Sequence, residues 1–225
     1  MPRPILAFAS VTFAVAFNVP YVLLASSFGY PAILREPAGE VLAAFTAGGP
    51  ALILTWYAFF WAALLFVPLA AALAINRDRM ASAPGLAVGA ALAGALSGAL
   101  QAVGLARWVF VIPGVAAAHA AGDPTAAPMF DLLNAYGGVA IGEHLGQLLL
   151  ALFAGLLGTV QWLEGRRFTG ALGLASALAI TLGTGEGLML ALGKPGDLFS
   201  WFTVGGFLIL SSWLVSTGLS LMRAK

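Results

Sequence analysis

Apolar residues run through this chain in long stretches, broken at intervals by short clusters of arginine, carboxylate and proline. A helix crossing a hydrocarbon core needs about 20 mostly apolar residues. The first stretch to supply them is 4–28, which carries no charge. Arg3 ahead of an apolar run ending in small residues also fits a cleaved secretory signal. The run is long for a signal core, however, and Asn18 and Pro20 interrupt its far half, so a span is expected. Residues 29–49, with Pro31, Arg35, Glu36, Pro37 and Glu40, are too polar to cross and predict a loop with a short interfacial helix. The second span is predicted at 50–75, and 76–84 form a loop holding Arg77, Asp78 and Arg79. The third span covers 85–106, after which Pro113 breaks the helix and 116–128 read as an irregular loop. The apolar stretch 129–163 is too long for one straight crossing, so a short outer helix is expected to join the span proper, 138–163, near Gly137 and Gly138. A charged turn at 164–167 precedes the fifth span, 168–192. A turn at 193–197 precedes the sixth, 198–222.

The pattern predicts an all-α membrane protein, a polytopic bundle of about six transmembrane helices in one domain over 1–225. Composition agrees. Charged residues are 8% of the chain and apolar residues 61%, and mean hydropathy is +0.98. A soluble domain carries about 25% charged residues to cover its surface. A net charge of +1 gives no basic face for nucleic acid. The absence of cysteine rules out disulfides, thiolate chemistry and cysteine-ligated metals, and the two histidines, His119 and His144, support few metal or haem arrangements.

Lysine and arginine set the orientation. With the N-terminus cytoplasmic, that side holds Arg3, Arg77, Arg79, Arg166, Arg167, Arg223 and Lys225, against Arg35, Arg107 and Lys194 opposite. The bias predicts both termini inside. Glycines recur at short spacing on the third span (Gly85, Gly89, Gly94, Gly98), the fourth (Gly138, Gly142, Gly146) and the fifth (Gly183, Gly187). Such rows let helices approach closely in lipid. They predict packing inside the bundle, with a homo-oligomer through one such face as the alternative.

An ionisable side chain in a span costs about 2.5–3.5 kcal/mol on insertion scales and calls for a partner or a function. Gln101 and Arg107, Glu143 and His144, and Glu186 qualify. At a rise of about 1.5 Å per residue, all fall in the outer part of a core about 30 Å thick, and Asn18 falls at a similar level. Polar residues from several spans thus share one layer. One reading is an ion-pair clamp, with Arg107 satisfying Glu143 or Glu186 and Gln101 donating to the other carboxylate. The other is an outward-facing polar site for a small molecule, ion or lipid headgroup. Glu143 and His144 are neighbours and cannot face one point on an undistorted helix. A zinc site would need His144, Glu143 and Glu186 together, and their spacing matches no zinc motif, so no metal or cofactor is expected. Glu186 lies in Gly-Thr-Gly-Glu-Gly at 183–187, where local unwinding around a bound ion competes with close packing against Arg107. His119, beside alanines in a loop, is expected to be solvated.

The string Gln-Ala-Val-Gly-Leu-Ala-Arg-Trp at 101–108, Pro113, and Tyr-Gly-Gly-Val-Ala-Ile-Gly-Glu-His-Leu-Gly at 136–146 resemble a bacterial integral membrane family, domain of unknown function 4386. The Tyr-Pro-Ala-Ile-Leu segment at 30–34 and the stretch around Glu186 are similar too. The resemblance implies a bacterial plasma membrane protein without an assigned reaction, and it singles out Arg107, Trp108, Glu143, His144 and Glu186. The expected function is binding or transport at the polar layer, in contact with the lipid bilayer and without nucleic acid. A membrane-embedded enzyme acting on a lipid-like substrate, with Glu143 or His144 as acid or base, is the first alternative, and a purely structural clamp the second.

Overall fold

The computed structural model describes residues 2–223, leaving out the side chain of Arg223. Lys225, counted in the charge bias above, lies outside the described residues. Six helices are long and apolar enough to cross a membrane: Arg3–Phe28, Ala38–Ala74, Pro84–Ala120, Ala126–Leu163, Arg167–Ala191 and Asp197–Met222. Each packs against the next in chain order, and the first closes onto the sixth as well as the second. The spans therefore form a ring of consecutive antiparallel neighbours. Ser10 donates to the Leu214 carbonyl at 2.8 Å, and a Cβ at Gly218 would meet the carbonyl of Ala7. Antiparallel contact between the first and last spans puts both chain ends at one end of the ring.

The second span differs from the expected loop and helix. Only the segment before Ala38 is irregular, with a short 3-10 turn at Ala32–Arg35. Residues 38–48 are helical because Ala38, Val41, Leu42 and Phe45 recur at i, i+3, i+4 and i+7. That stripe is buried against Trp108, Ile112, Val115 and Phe130. The helix kinks at Gly49, whose φ of 56° only glycine adopts freely, and Pro50 opens the crossing segment where the sequence placed it. The expected loop at 116–128 is likewise mostly helix, Ile112–Ala120 and Ala126–Leu133. Pro113 restarts a helix there, because the first turn needs no N–H from it. His119 consequently sits half-buried on a helix, with its ring 3.6 Å from where a Cβ on Gly39 would lie.

In the fourth span the expected joint near Gly137 is a change of winding. A twelve-residue π-helix, Asn134–Leu145, links Ala126–Leu133 to Gly146–Leu163 without a break. The glycine rows work inside the bundle. A Cβ on Gly104 would lie 2.8 Å from the Cα of Gly142, and one on Gly98 2.8 Å from the carbonyl of Ala63. Gly85 is the exception, with nothing within 4 Å.

The interior of the half of the ring nearest the chain termini is packed, with Leu73, Phe153, Leu157 and Trp213 in one cluster, and an open groove runs there between the first, fifth and sixth spans. Its buried polar groups are paired: Trp213 donates to Gln161 at 2.7 Å, and Gln161 to Thr217 at 3.0 Å. Arg79, only 4% exposed, donates to the Leu73 carbonyl and to both oxygens of Glu164. The loop after the second span is thereby tied to the turn after the fourth, and Arg166 bridges Glu164 to Ser220 on the sixth.

Burial raises the pKa of the Glu164 carboxyl, but the Arg79 hydrogen bonds and the charges of Arg79 and Arg166 outweigh it and hold it below the ordinary value. A carboxyl depressed in the folded state adds stability that is present above its unfolded pKa and lost as pH falls through the folded one. The unfolding midpoint of the detergent-solubilised protein should therefore drop as pH falls below 4.5. Glu164→Gln should cost about 1–2 kcal/mol at neutral pH, since solvent screens the carboxylate but its loss strands a buried guanidinium. The variant should also lose less on acidification, and a wild-type-like pH profile in it would remove Glu164 from the account.

Candidate functional site

The opposite half of the ring is not filled. A cavity of about 170 Å³ lies there, lined by residues of all six spans and of the segment before Ala38. Its walls are aromatic: Phe13, Phe17, Trp56, Phe59, Phe66 and Phe207. Its charged lining residues are Arg35, Arg107, Glu143 and Glu186.

Arg35 comes from the 3-10 turn rather than from a span. Phe28 and Leu34, both buried, anchor the two ends of this segment in the aromatic cluster, and that turns Arg35 inward. Its Nη2 donates to Glu143 Oε2 at 2.7 Å and its Nε to Glu186 Oε1 at 3.0 Å. One guanidinium thus joins the π-helix of the fourth span to the far segment of the fifth. Burial pulls the Arg35 pKa down, but the charges of Glu143 and Glu186 and their hydrogen bonds prevail and raise it. Burial also pushes the Tyr30 phenol well above its usual value, with Glu143 adding to the effect.

The layer expected from the sequence is therefore present, but its pairing differs. Arg107 does not pair with Glu143 or Glu186. It donates to the Gly104 carbonyl on its own helix and to Asn134 Oδ1, the latter at 3.1 Å. Asn134 in turn donates to the Leu34 carbonyl at 3.2 Å. The guanidinium of Arg107 fits because Gly138 faces it. A Cβ at Gly138 would lie 2.3 Å from Nη2. Gln101 does not reach a carboxylate either; it donates to Ser97 at 2.8 Å, and Ser97 to the Gly146 carbonyl at 2.7 Å. Both are one helical turn from their partners along the third span, so the short local bond wins over the long reach. Asn18 likewise bonds locally, to the Ala14 carbonyl at 2.6 Å, and across to Ser211 at 3.0 Å.

Glu143 and His144 face different ways, as neighbours on a helix must. His144 Nδ1 lies 3.1 Å from the carbonyl of Thr184. A carbonyl only accepts, so Nδ1 carries the proton. Thr184 marks the break between Arg167–Gly183 and Gly185–Ala191, so the helix is interrupted at the glycines where close packing competed with local unwinding. The partner of Glu186 beyond that break is Arg35, not Arg107. Among the described residues no group of three His, Cys, Asp or Glu side chains is placed to hold a metal ion.

Trp108 is 1% exposed and belongs to the frame of the site. It stacks on Trp56 with centroids 4.7 Å apart and planes 7° from parallel, and the Arg107 Cζ sits 5.1 Å from its ring centroid. Sequence reasoning missed Arg35 and Trp56. Arg35 lay in a stretch read as a loop and entered only the orientation count. The available signal was its position one residue after the Tyr-Pro-Ala-Ile-Leu segment.

This architecture, a six-span helical membrane protein with a charged layer in one half, is accompanied by a family match. The chain belongs to the family described as domain of unknown function DUF4386, matched over residues 8–218. No curated protein and no solved structure matches it.

The pairing makes a testable distinction. Arg35→Ala and Glu143→Ala should each destabilise the protein, and the double variant should be less damaged than the sum, with a coupling of about 1–3 kcal/mol. Arg107→Ala with Glu143→Ala should couple by less than half as much. Denaturation midpoints of the two cycles, measured in one detergent, check this; stronger coupling in the second cycle would reassign the ion pair to Arg107.

Proposed function

We propose that the protein binds a small hydrogen-bond-accepting molecule in the cavity at the Arg35 end of the ring. The observation that carries this reading is a mismatch of polar groups. Three buried N–H atoms have no partner, Arg35 Nη1, Trp56 Nε1 and Arg107 Nε, and all three residues line that one cavity. A buried donor left unmade costs about 1–3 kcal/mol. The packed interior of the other half shows that this sequence pairs its buried polar groups where no space is kept. A bound acceptor would repay the cost. Transport would use the same site, with the ion pairs of Arg35 as the contacts to be broken.

The second reading is a clamp without a ligand. It is favoured by one feature, the seizure of both carboxylates by Arg35. Native mass spectrometry of the detergent-purified protein separates the two, with wild type run beside Arg35→Gln and Glu143→Gln. A bound mass on wild type that is lost from the variants supports the binding site. Bare protein throughout, with the variants less stable, leaves the clamp.

The orientation follows from the basic residues. We infer that both termini are cytoplasmic, so that the cavity faces the far side of a bacterial plasma membrane. A reporter fused after the last span should be active in the cytoplasm; activity of a periplasm-specific reporter at that position would invert the topology.

A further inference from the structure

A second opening lies along the sixth span, apart from the cavity. The first span packs on one flank of the sixth and the fifth on the other. Beyond Phe17 the first span turns away, and Asn18–Phe28 packs on the second span instead. The space left between the flanks is an open groove of about 1630 Å³. Val15, Val19, Phe168 and Leu219 line it and are exposed, which puts it on the outer face of the ring.

The groove is polar in composition but not in what it offers. Ser212 donates to the Leu208 carbonyl at 3.0 Å and Ser220 to the Thr217 carbonyl at 2.8 Å. Thr169 and Ser216 bond each other at 2.7 Å, and Asn18 donates to Ser211 at 3.0 Å. With these groups engaged inside the protein, the surface left for an occupant is largely hydrocarbon. From Ser211 to Ser220 the sixth span rises about 13 Å, close to the depth of one leaflet's share of a core about 30 Å thick.

One rim is cationic. The turn and first helical residues of the fifth span, Gly165 to Thr169, close the groove at the end that holds the chain termini. Arg166 is held there by Ser220 at 3.2 Å. Arg167 is exposed and makes no ion pair among the described residues. The neighbouring carboxylate, Glu164, accepts from Arg79 through both oxygens, and no acidic residue lies in the first turn of the helix that Arg167 opens.

We propose that this groove seats an anionic phospholipid of the leaflet at that end, with its phosphate at Arg166 and Arg167 and an acyl chain along the sixth span. Basic residues between helices on the cytoplasmic side recognise such headgroups, and this end is the cytoplasmic one in the orientation inferred above. A second copy of the chain fits less well, although Ser212, Ser216 and Ser220 have the spacing of a helix-packing row. A two-fold pair meets through the same patch on both copies. It would set a concave face against itself and bring the two arginine rims together.

The test uses delipidated full-length protein in detergent, titrated with dioleoyl phosphatidylglycerol, dioleoyl phosphatidylcholine or glycerol 3-phosphate. Apparent affinity is read from the concentration dependence of the unfolding midpoint. Phosphatidylglycerol should bind wild type at least tenfold more tightly than phosphatidylcholine. Arg167→Gln should weaken phosphatidylglycerol about fivefold and leave phosphatidylcholine unchanged. Arg77→Gln, an exposed arginine at the same end but outside the groove, should change neither. Ser212→Trp, which fills the groove without altering charge, should weaken both lipids. Equal binding of the two lipids, or no effect of Arg167→Gln, would remove the headgroup site. An equal loss in Arg77→Gln would reduce the effect to general attraction to a basic surface. If glycerol 3-phosphate shifts the midpoint as far as phosphatidylglycerol, the site takes a free phosphate and not a lipid. If Ser212→Trp leaves phosphatidylglycerol binding intact, the groove is not where it binds. A dimer mass in native mass spectrometry of wild type that Ser212→Trp abolishes would give the groove to a second copy instead.

Discussion

The arrangement depends on one guanidinium satisfying two carboxylates from different helices. Lipid supplies no counterion and no water, so an acid in a span must find its partner within the bundle. Glu143 and Glu186 both find it in Arg35. This bond fixes three things at once. It pulls the segment before Ala38 inward over the ring, holds the π-helical part of the fourth span against the fifth, and occupies the acids that would otherwise claim Arg107. What remains around the cavity is a surplus of donors.

The two halves of the bundle show how one composition serves two ends. Around Arg79 the side chains interlock, and the buried polar groups are closed into pairs such as Trp213 with Gln161. Around Arg35 the helices are interrupted: at Phe17 in the first span, Gly49 in the second, Val111 in the third, Thr184 in the fifth, and by π-winding in the fourth. Irregular backbone is tolerated at membrane depth only where protein or a cavity receives its polar groups. Here His144 meets the carbonyl at one break, and Asn134 in the π-helix joins Arg107 to the Leu34 carbonyl. The interruptions spread the helix ends and leave the space that straight helices would close.

Most of the frame was legible in the sequence, because a bilayer makes length and charge sufficient to place the crossings. Both ends of the first, fifth and sixth spans and the break near Pro113 came from apolar runs and prolines, whereas the kink at Gly49 replaced an expected loop. The convergence of Glu143, Glu186 and Arg107 on one layer came from counting residues along helices. What stayed hidden was lateral. Counting gives depth but not which neighbour a side chain faces, so Arg107 was assigned the carboxylates that Arg35 holds. The helix over 38–48 was expected only as a short interfacial piece, and its continuity with the second span was missed because its polar residues outweighed a stripe of four buried ones, Ala38, Val41, Leu42 and Phe45. Trp56 was not singled out, since nothing in the sequence separates a tryptophan facing lipid from one stacked inside.

The order of the ring also bears on how the molecule is made. Because every span lies beside its chain neighbours, each helix leaving the ribosome can dock at once on the one before it, by short-range closure. The exception is the seam between first and last. Until the sixth span arrives, the wall carrying Phe207 is missing and the charged layer lies open to lipid. Assembly is thus progressive along the chain, yet the chamber exists only at the final step, and a nascent protein stalled before it would present its unshielded charges to the quality-control proteases of the membrane.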